Sequence, residues 1–574
     1  MKKLSFALVL FFIAAPLFLL WLFTPKVIPL VISEETTRIT GPLTDDGRIL
    51  YHKALEQRIY PPELVTDDNG FRLFIRQFGD AGVALNGGDY MKENSEFFRL
   101  QVYAKLALDP NIPPTLTLPL EPHRIIKDFH ETKGEEYDTK QADKLPTHWT
   151  LEDFPMLADW INEIDDPMDA LADMIQKPIF QAPLRESRSS YEQGTADNLL
   201  AMPLQDVQMF RSIARIFSAR AAYRIAHGDI DGAIDDKLTL HRFGRLVSPC
   251  GGMLVGYLVG IAIESMAGAI PINANPEHPL TEEQIRRILE GLDALPPRTS
   301  IHEGYEWERY VALSALQDVC FDRTKNQHSA SVPATIAACN DLLKAAGETK
   351  RLRFPLFMRR VFDWNVVYRR LNEAYDTLQQ PPPLTEYYAL LKTVEECLQN
   401  ARSRSSGRLD DFFADVFIKN MLPVMGDLLE AVQRLECSEN MQRLTWATLL
   451  YQCEHGMLPD ENWATQIEKY LGENPEQYFS CPTNPSPEGN TTYALVRYGE
   501  TPESFDTFLL VELETPVPLD EAVITVNEVL ERERTFKRHR NGMNTVYRSG
   551  AVQFLANDTN EEELLRRLGR EVAE

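Results

Sequence analysis

The first 23 residues constrain the fold of this chain more than any other stretch. Lys2 and Lys3 precede an apolar run from Leu4 to Phe23 in which no residue is charged. About twenty residues at the rise of an α-helix span about 30 Å, the thickness of the hydrocarbon core of a bilayer. Because the lysines stay on the cytoplasmic side, we expect a single-pass helix in the cell inner membrane. Its N-terminus is cytoplasmic, and the bulk of the chain is extracytoplasmic.

A cleaved signal peptide is the alternative interpretation of this segment. The apolar core of a signal peptide is shorter, and a small-x-small cleavage site follows it directly. Ala14 and Ala15 come too early in the run, whereas Val31 to Ser33 lies beyond two prolines. The sequence therefore favours an anchor that is not cleaved.

Length and charge exclude some classes of protein. The chain has 574 residues, which is more than one hydrophobic core organises, so several domains are expected. Its net charge is −26, from 59 basic and 85 acidic residues. A surface of that sign repels nucleic acid, which is therefore excluded as a partner. We expect protein partners in the envelope, and contact with the membrane through the single-pass anchor.

Apolar periodicity and turn residues divide the chain into six segments. In chain order they are a transmembrane anchor (1–23), a proline-punctuated stalk (24–50), a mixed region (51–204), a helical domain (205–402), a linker and helix lead-in (403–423) and an α+β domain (424–574). The predicted fold class is therefore mainly α with a C-terminal α+β domain.

Two features characterise the helical middle. Apolar residues at three-to-four spacing flank Gly228 and Asp229, which suit a helix end followed by the cap of the next helix. This turn resembles half of a tetratricopeptide-type helical hairpin, although no second copy recurs at a fixed period.

Residues 251–272 are apolar, but Glu264 lies well inside them. A charge there opposes a second membrane span, so a buried helix is predicted.

The sequence pattern in the last third of the chain predicts a helix followed by strands. A helical stripe ends at His455 and Gly456, and residues 491–499 and 505–514 are rich in β-branched and aromatic residues. Two short strands then flank a turn that contains Ser549 and Gly550, where glycine supplies a positive φ. We predict a long helix and an antiparallel sheet.

This order of elements resembles the globular part of type II secretion pseudopilins. His539, nine residues and then Ser549-Gly550 are similar to the H-x9-DG signature of prepilin-like proteins, with serine in place of aspartate. Further matches to that signature are Gly542, Met543, Asn544, Tyr547, Val552, Phe554 and Leu555. The resemblance implies a pilin-like helix and antiparallel sheet over about residues 424–556. The pilus-assembly helix that precedes this domain in pseudopilins is missing directly ahead of it.

His539 is the one residue of the signature with side-chain chemistry to explain. A side chain ahead of a hairpin can cross to the next strand and hydrogen-bond the turn, where Ser549 offers a neutral hydroxyl. We predict a structural turn latch formed by His539, Ser549 and Gly550. Docking of the basic residues around His539 to an anionic envelope polymer is the alternative.

The seven cysteines are scattered and lack the spacing of a metal site. An odd number outside the cytoplasm leaves at least one thiol free or bonded to another chain. Cys453 and Cys481 flank the same loop, so a disulfide between them is predicted. Most of the others are expected to be small buried side chains.

The motifs of common enzyme classes do not occur in the sequence: H-E-x-x-H, G-x-S-x-G, the Walker loop and the dinucleotide glycine motif. The sequence therefore predicts no catalytic residue, no cofactor and no metal ligand. It favours a non-enzymatic structural or interaction protein of the bacterial envelope, associated with secretion or pili. An extracytoplasmic hydrolase of wall or polysaccharide, with paired carboxylates from residues 51–205, stays open as the alternative.

Overall fold

The computed structural model covers most of the chain beyond the predicted anchor. It describes residues 26–79, 89–117, 125, 127, 149–152, 154–186, 199, 202, 205–248, 254–322, 325, 327–331, 337, 361–379, 410–411, 413–414, 418, 423–460, 462–482, 487, 489–498, 507–531, 542–556, 559, 564–565 and 567–568. Residues 1–23 thus lie outside the described part. Among the described residues, no helix combines the length and the apolar composition that a membrane crossing requires.

The described part is mainly helical and has a sheet near its C-terminus, as the sequence predicts. The helices are α1 (Tyr51–Ile59), α2 (Gly70–Phe78), α3 (Asp89–Lys105), α4 (Ala158–Ile175), α5 (Gln205–Ala226), α6 (Ile230–Val247), α7 (Leu254–Gly268), α8 (Glu282–Asp293), α9 (Ile301–Cys320), α10 (Trp364–Gln379), α11 (Pro423–His455), α12 (Trp463–Ile467) and α13 (Val526–Glu531). The strands are β1 (Lys26–Ile28), β2 (Val361–Asp363), β3 (Asn490–Arg497), β4 (Phe508–Pro518), β5 (Val523–Thr525), β6 (Gly542–Tyr547) and β7 (Val552–Ala556).

Local signals set the helix boundaries in the middle of the chain. Gly228 has a φ of +77°, and the side chain of Asp229 accepts a hydrogen bond from the backbone N–H of Gly232. The predicted break between α5 and α6 is thereby confirmed. At the start of α8, Thr281 and Gln284 exchange the two hydrogen bonds of a capping box. These caps satisfy backbone donors that a helix start leaves without an intrahelical partner.

The larger of two helical cores joins the middle of the chain to its end. It contains apolar side chains of α2 to α8, the second half of α11, α12 and one face of the sheet. α7 packs against α5, α6 and α11. The prediction that residues 251–272 contain an ordinary buried helix is confirmed, because Ile263 and Glu264 of α7 are both buried.

The smaller core holds the segment that the sequence marks as a stalk, and here the structure differs from the prediction. In residues 26–50, β1 pairs in parallel with β2, and the side chains of Leu30 and Ile49 are buried against α9 and α10. Gln317 exchanges two hydrogen bonds with the backbone of Ile49, of 2.8 and 3.0 Å. Amide side chains thus satisfy the backbone of a segment whose prolines prevent long strands.

The C-terminal sheet has five strands in the order β5-β3-β4-β6-β7. β3 pairs with β4, β4 with β6 and β6 with β7 in antiparallel fashion, whereas β5 runs parallel to β3. The face with Tyr493, Leu510 and Val546 belongs to the larger core. The opposite face forms a third, smaller core with Leu564 and Leu568. Both faces are covered, which explains the almost continuous apolar strands.

Helix α11 connects all of these parts. Its 33 residues span about 50 Å. Leu428 and Leu429 near its start lie in the smaller core, and Met441, Leu444 and Trp446 lie in the larger core. α7, α8 and β6 all pack on it. The predicted domains 205–402 and 424–574 therefore share one core, because the apolar side chains of α11 face the helical body as well as the sheet.

The shared core predicts that the helical body and the sheet unfold together. Leu444 is fully buried in α11, and its replacement in Leu444→Ala should lower the free energy of unfolding by about 2–5 kcal/mol. Urea unfolding followed by far-ultraviolet circular dichroism and by tryptophan fluorescence should show a single shifted transition. The matched control is Leu258→Ala on α7, where leucine is 37% exposed, with an expected change within about 0.5 kcal/mol. Two separate transitions, with one unshifted, would contradict the shared core.

Candidate functional site at the terminal hairpin

The turn between β6 and β7 forms where the sequence predicts it. The backbone N–H of Gly550 donates to the carbonyl oxygen of Tyr547 at 2.9 Å, and Tyr547 N–H donates to Ala551 at 2.9 Å. Gly550 has a φ of +78°. A β-carbon on Gly550 would lie 2.2 Å from Cη2 of Trp446 in α11. Glycine is therefore required both for the backbone conformation and for close contact with the helix.

A residue that the sequence does not single out holds this turn against the helical body. Asn273, between α7 and α8, donates its backbone N–H to the carbonyl oxygen of Ser549 at 3.0 Å. Its side-chain Nδ2 donates to the carbonyl oxygen of Arg548 at 3.1 Å. Asn273 lies between Pro271 and Pro276, a composition typical of turns but without a mark of its distant partner.

The three residues of the predicted latch have different outcomes. His539 lies outside the described residues, so its hydrogen bond to the turn stays a prediction. Ser549 is buried, and its Oγ has no hydrogen-bond partner in the described part of the chain. Gly550 occupies the predicted turn. Within the described residues, the turn is contacted by Asn273 and Trp446, and the backbone N–H of Arg548 also donates to the carbonyl oxygen of Thr507 at 2.9 Å.

A cleft of about 330 Å³ lies beside this turn. It is lined by Asn273, Pro279, Leu280, Ile285, Leu449, Gln452, Cys453, Gly456 and Arg548. None of these described lining residues is an acid. Burial raises the pKa of the Cys453 thiol, which disfavours the thiolate that a cysteine nucleophile requires. The exposed side chain of Met457 follows directly after Gly456. The described lining of the cleft thus combines an apolar wall with amide groups and one guanidinium group, and it includes no activated nucleophile.

The predicted disulfide between Cys453 and Cys481 is wrong. Cys481 is bonded to Cys437, with 5.2 Å between their Cα atoms, and Cys453 is a free cysteine. The reason is the length of α11. Cys453 lies sixteen residues beyond Cys437 on this helix, a distance of about 24 Å. The segment before β3 returns alongside the middle of α11, where Cys437 is the cysteine within reach.

Helix α11 is also held by a cluster of buried and half-buried charges, which we call the ionic junction. It comprises Arg245 of α6, Glu264 of α7, Arg298 after α8, and Glu439 and Arg443 of α11. Nη2 of Arg298 lies 2.8 Å from Oε2 of Glu264 and 2.6 Å from Oε2 of Glu439. Arg245 also contacts both carboxylates, at 3.2 and 2.9 Å. Glu264, the residue that argues against a second membrane span, is neutralised here by two guanidinium groups.

Ionisation inside and around the ionic junction is strongly perturbed. Burial opposes ionisation of Glu439, but the charges of Arg298, Arg245 and Arg443 lower its pKa to about 2. Burial raises the pKa of Glu436, one turn earlier on α11, to about 7 against the opposing charge of Arg298. Burial and the charge of Lys237 lower the pKa of His241 well below its ordinary value. His241 is therefore neutral at pH 7.

These buried groups are connectors between helices. Paired charges in a low-dielectric interior fix the relative position of the elements that carry them, because separation of one partner is costly. A second set joins α4, α5 and α6, where Arg220 contacts Asp236 at 2.6 Å and Asp169 at 2.8 Å. The side chain of Asp169, on α4, is exposed.

Comparison with known proteins does not assign the chain to a family: no family model, no curated protein and no solved structure matches it. The resemblance to pseudopilins rests on the sequence signature, and it stays a prediction.

The contact between Gly550 and Trp446 predicts a strong effect of a single methyl group. Gly550→Ala combines an unfavourable positive φ with a clash, and it should lower the free energy of unfolding by more than about 2 kcal/mol. Gly456→Ala is the matched control, because Gly456 has a φ of +76° and no atom within 4 Å of the added carbon. The free energy of unfolding of this control variant should fall by about 1–2 kcal/mol. Chemical denaturation measures the free energy of unfolding of both variants. If Gly550→Ala and Gly456→Ala lose equal amounts of stability, the clash with Trp446 does not contribute.

The raised pKa of Glu436 predicts a pH-dependent stability. The folded state binds this proton more tightly than the unfolded state, whose pKa is near 4.5. The stabilisation is therefore complete below about pH 4.5 and is lost as pH rises through about 7, by up to roughly 3 kcal/mol. Glu436→Gln should remove this component. Urea unfolding at pH 5 and pH 8 then shows a smaller difference than in the wild type.

The control for this measurement is Glu283→Gln on the exposed side of α8. It should retain the pH dependence of the wild-type protein. A Glu436→Gln variant that loses as much stability between pH 5 and pH 8 as the wild type would contradict the assignment.

Proposed function

We propose that this protein is a membrane-anchored, extracytoplasmic structural and interaction protein of the bacterial envelope. The observation that carries the proposal is the buried disulfide between Cys437 and Cys481. Disulfides form and persist outside the cytoplasm and are rare inside it. The uncharged apolar run from Leu4 to Phe23 supports the same compartment and supplies the anchor.

The arrangement of α11 on the sheet supports a pilin-like C-terminal unit, and with it an association with secretion or pili. Here the helix is also covered by α7 and α8. Contact between copies along α11, in the manner of a filament subunit, would require these helices to leave. A fixed scaffold is therefore favoured over a filament subunit. The hairpin of α5 and α6 supports a helical middle of tetratricopeptide-like geometry, although one pair of helices is not an array.

We assign partner contact to the cleft beside the terminal hairpin. It combines an apolar wall with Arg548 and with amide groups, and none of its described lining residues is an acid. In a chain with a net charge of −26, such a surface repels an acidic partner less than its surroundings do. An envelope protein with an apolar side chain beside an acidic group fits this chemistry.

The alternative of a hydrolase requires two carboxylates with opposed environments in residues 51–205. The described acids of that region include Glu56 and Glu186, which both contact Nζ of Lys105, at 2.5 and 3.6 Å. Glu186 also lies 3.3 Å from Nε2 of His52. Burial acts to raise the pKa of Glu186, but His52 and Lys105 outweigh burial and lower that pKa below its ordinary value. Lys105 contacts both carboxylates, and this arrangement favours an ion-paired structural cluster.

The compartment is tested by labelling Cys453 with a membrane-impermeant maleimide in intact spheroplasts. Cys453 is a free and exposed cysteine, whereas Cys437 and Cys481 are bonded. In a background that lacks Cys250, Cys339 and Cys397, we expect labelling without lysis. The control variant Cys453→Ser should lose the label. Labelling that requires lysis would place the body of the protein in the cytoplasm and overturn the proposal.

The interaction role is tested by chemical cross-linking of envelopes, followed by purification of the full-length protein. We expect one or a few envelope proteins to be captured, and Leu449→Arg in the cleft should reduce their yield by about tenfold or more. Leu258→Arg, on the exposed face of α7, is the matched control. A protein without cross-linked partners that releases fragments from purified wall polymer would favour the hydrolase.

A further inference from the structure

A lysine of α6, Lys237, has no solvent-exposed surface. Lysine is almost never fully buried in proteins unless an acid pairs with it. In the described part of the chain Lys237 forms no ion pair, and burial alone lowers the pKa of its amine to about 7. Its charged and neutral forms therefore exchange near neutral pH, and the groups that its amine contacts respond to the difference.

The amine of Lys237 binds the end of α7. Its Nζ donates to the carbonyl oxygens of Ala267 at 2.7 Å, Ile270 at 3.3 Å and Gly268 at 3.4 Å. The ammonium form has three N–H donors, which match these three acceptors, whereas the neutral amine has one donor fewer. The carbonyl groups at a helix C-terminus also carry partial negative charge, which attracts a cation. The contact is therefore strongest when Lys237 is protonated.

The chain that Lys237 holds leads directly to the terminal hairpin. Asn273 lies three residues beyond the last of these carbonyl groups, and it donates to two carbonyl oxygens of the turn. The ring of Trp446, which contacts Gly550 of the same turn, has its centre 6.0 Å from Nζ of Lys237. A cation at this distance from a tryptophan ring is attracted to its face. One ammonium group thus contacts two of the supports of this turn.

The segment between α7 and α8, residues 269–281, also forms one side of the cleft beside the terminal hairpin, through Asn273, Pro279 and Leu280. We propose that the ammonium group of Lys237 positions this 269–281 segment against the terminal hairpin, and that loss of its proton as pH rises above neutral loosens the segment and the cleft. The neutral amine has one donor fewer and no charge, so it holds the end of α7 less tightly. The inference rests on the proposed function for the role of the cleft as a partner site.

The charged groups on the elements around Lys237 leave this proton exchange to the lysine itself. His241, one turn later on α6, is neutral at pH 7, because burial and the charge of Lys237 lower its pKa well below the ordinary value. On α7 and α11, Glu264 and Glu439 stay paired with the arginines of the ionic junction. The hairpin contributes Arg548, which stays charged throughout this pH range.

Hydrogen exchange of the full-length protein, followed by mass spectrometry of its peptides, measures how tightly the 269–281 segment is held. At pH 6, the amides of Asn273 and Gly550 should exchange on the order of tenfold or more faster in Lys237→Met than in the wild type. Lys237→Arg keeps the charge and should retain more of the protection. Lys53→Met, on the exposed side of α1, is the matched control and should exchange as the wild type does. Unchanged protection of both amides in a folded Lys237→Met variant would overturn the proposal.

The same experiment at pH 6 and pH 8 tests the response to pH. After correction for the intrinsic exchange rate, the protection of Asn273 and Gly550 in the wild type should fall as pH rises through about 7. In Lys237→Met it should stay constant. Because Glu436 titrates in both proteins, the comparison separates its effect from that of Lys237. Protection that is constant in the wild type, or that falls equally in Lys237→Met, would contradict the assignment of the response to this lysine.

Global unfolding distinguishes a positioning role from a general contribution to stability. The pKa of Lys237 in the folded state lies below its ordinary value of 10.5, so the stability that the neutral amine provides is lost as pH falls through about 7. In Lys237→Met, the carbonyl oxygens of Ala267 and Ile270 keep the backbone N–H donors of Ile270 and Ile272. The urea midpoint of this variant at pH 6 should therefore equal or exceed that of the wild type, although its 269–281 segment exchanges faster.

A midpoint that falls together with the protection would make Lys237 a residue of general stability and would overturn the proposal. None of these measurements requires a partner protein. Their failure therefore leaves the capture of partners by cross-linking unaffected, and failure of that capture leaves the positioning role of Lys237 intact.

Discussion

The ionic junction is the constraint on which the rest of this structure depends. Glu264 is a buried carboxylate and Glu439 is a half-buried one, and each is satisfied by Arg245 and Arg298. A buried charge tolerates little displacement of its partners, and loss of one partner costs about 3–5 kcal/mol. The positions of α6, α7 and α11 relative to one another are therefore tightly specified. Apolar packing alone would permit these helices to slide more easily, because it is not directional.

The position of α11 in turn determines where the sheet lies. Cys437 is two residues before Glu439 on this helix, and its disulfide joins the helix to the segment that leads into β3. Two turns further along, Trp446 contacts Gly550 in the turn between β6 and β7. Asn273, which follows α7, binds the same turn from the helical body. The terminal hairpin is thus where the helical body, α11 and the sheet meet, and the cleft lies between them.

Features encoded by neighbouring residues could be predicted from the sequence, and features formed by distant residues could not. Gly228 with Asp229, the capping box of Thr281, the end of α11 at Gly456 and the turn at Gly550 depend on their own few residues. Their backbone requirements are visible in the sequence. The partner of Cys481 depends on where α11 passes β3, and the hydrogen bonds of Asn273 depend on a turn 275 residues away. Residues 26–50 read as a stalk because prolines exclude long strands, yet Gln317 and Asn365 supply the missing hydrogen bonds.

The placement of polar side chains on α11 explains why the helical body and the sheet, which both pack on this helix, are held together. Within about two turns, Glu439 and Arg443 contact charged groups of the helical body, whereas Cys437 is bonded toward the sheet. One set of interactions is ionic and the other is covalent, so each responds to a different condition. A change in protonation acts on the side toward the helices, and a change in oxidation state acts on the side toward the sheet. Both sets hold the same helix, so α11 is fixed to the helical body and to the sheet at the same time.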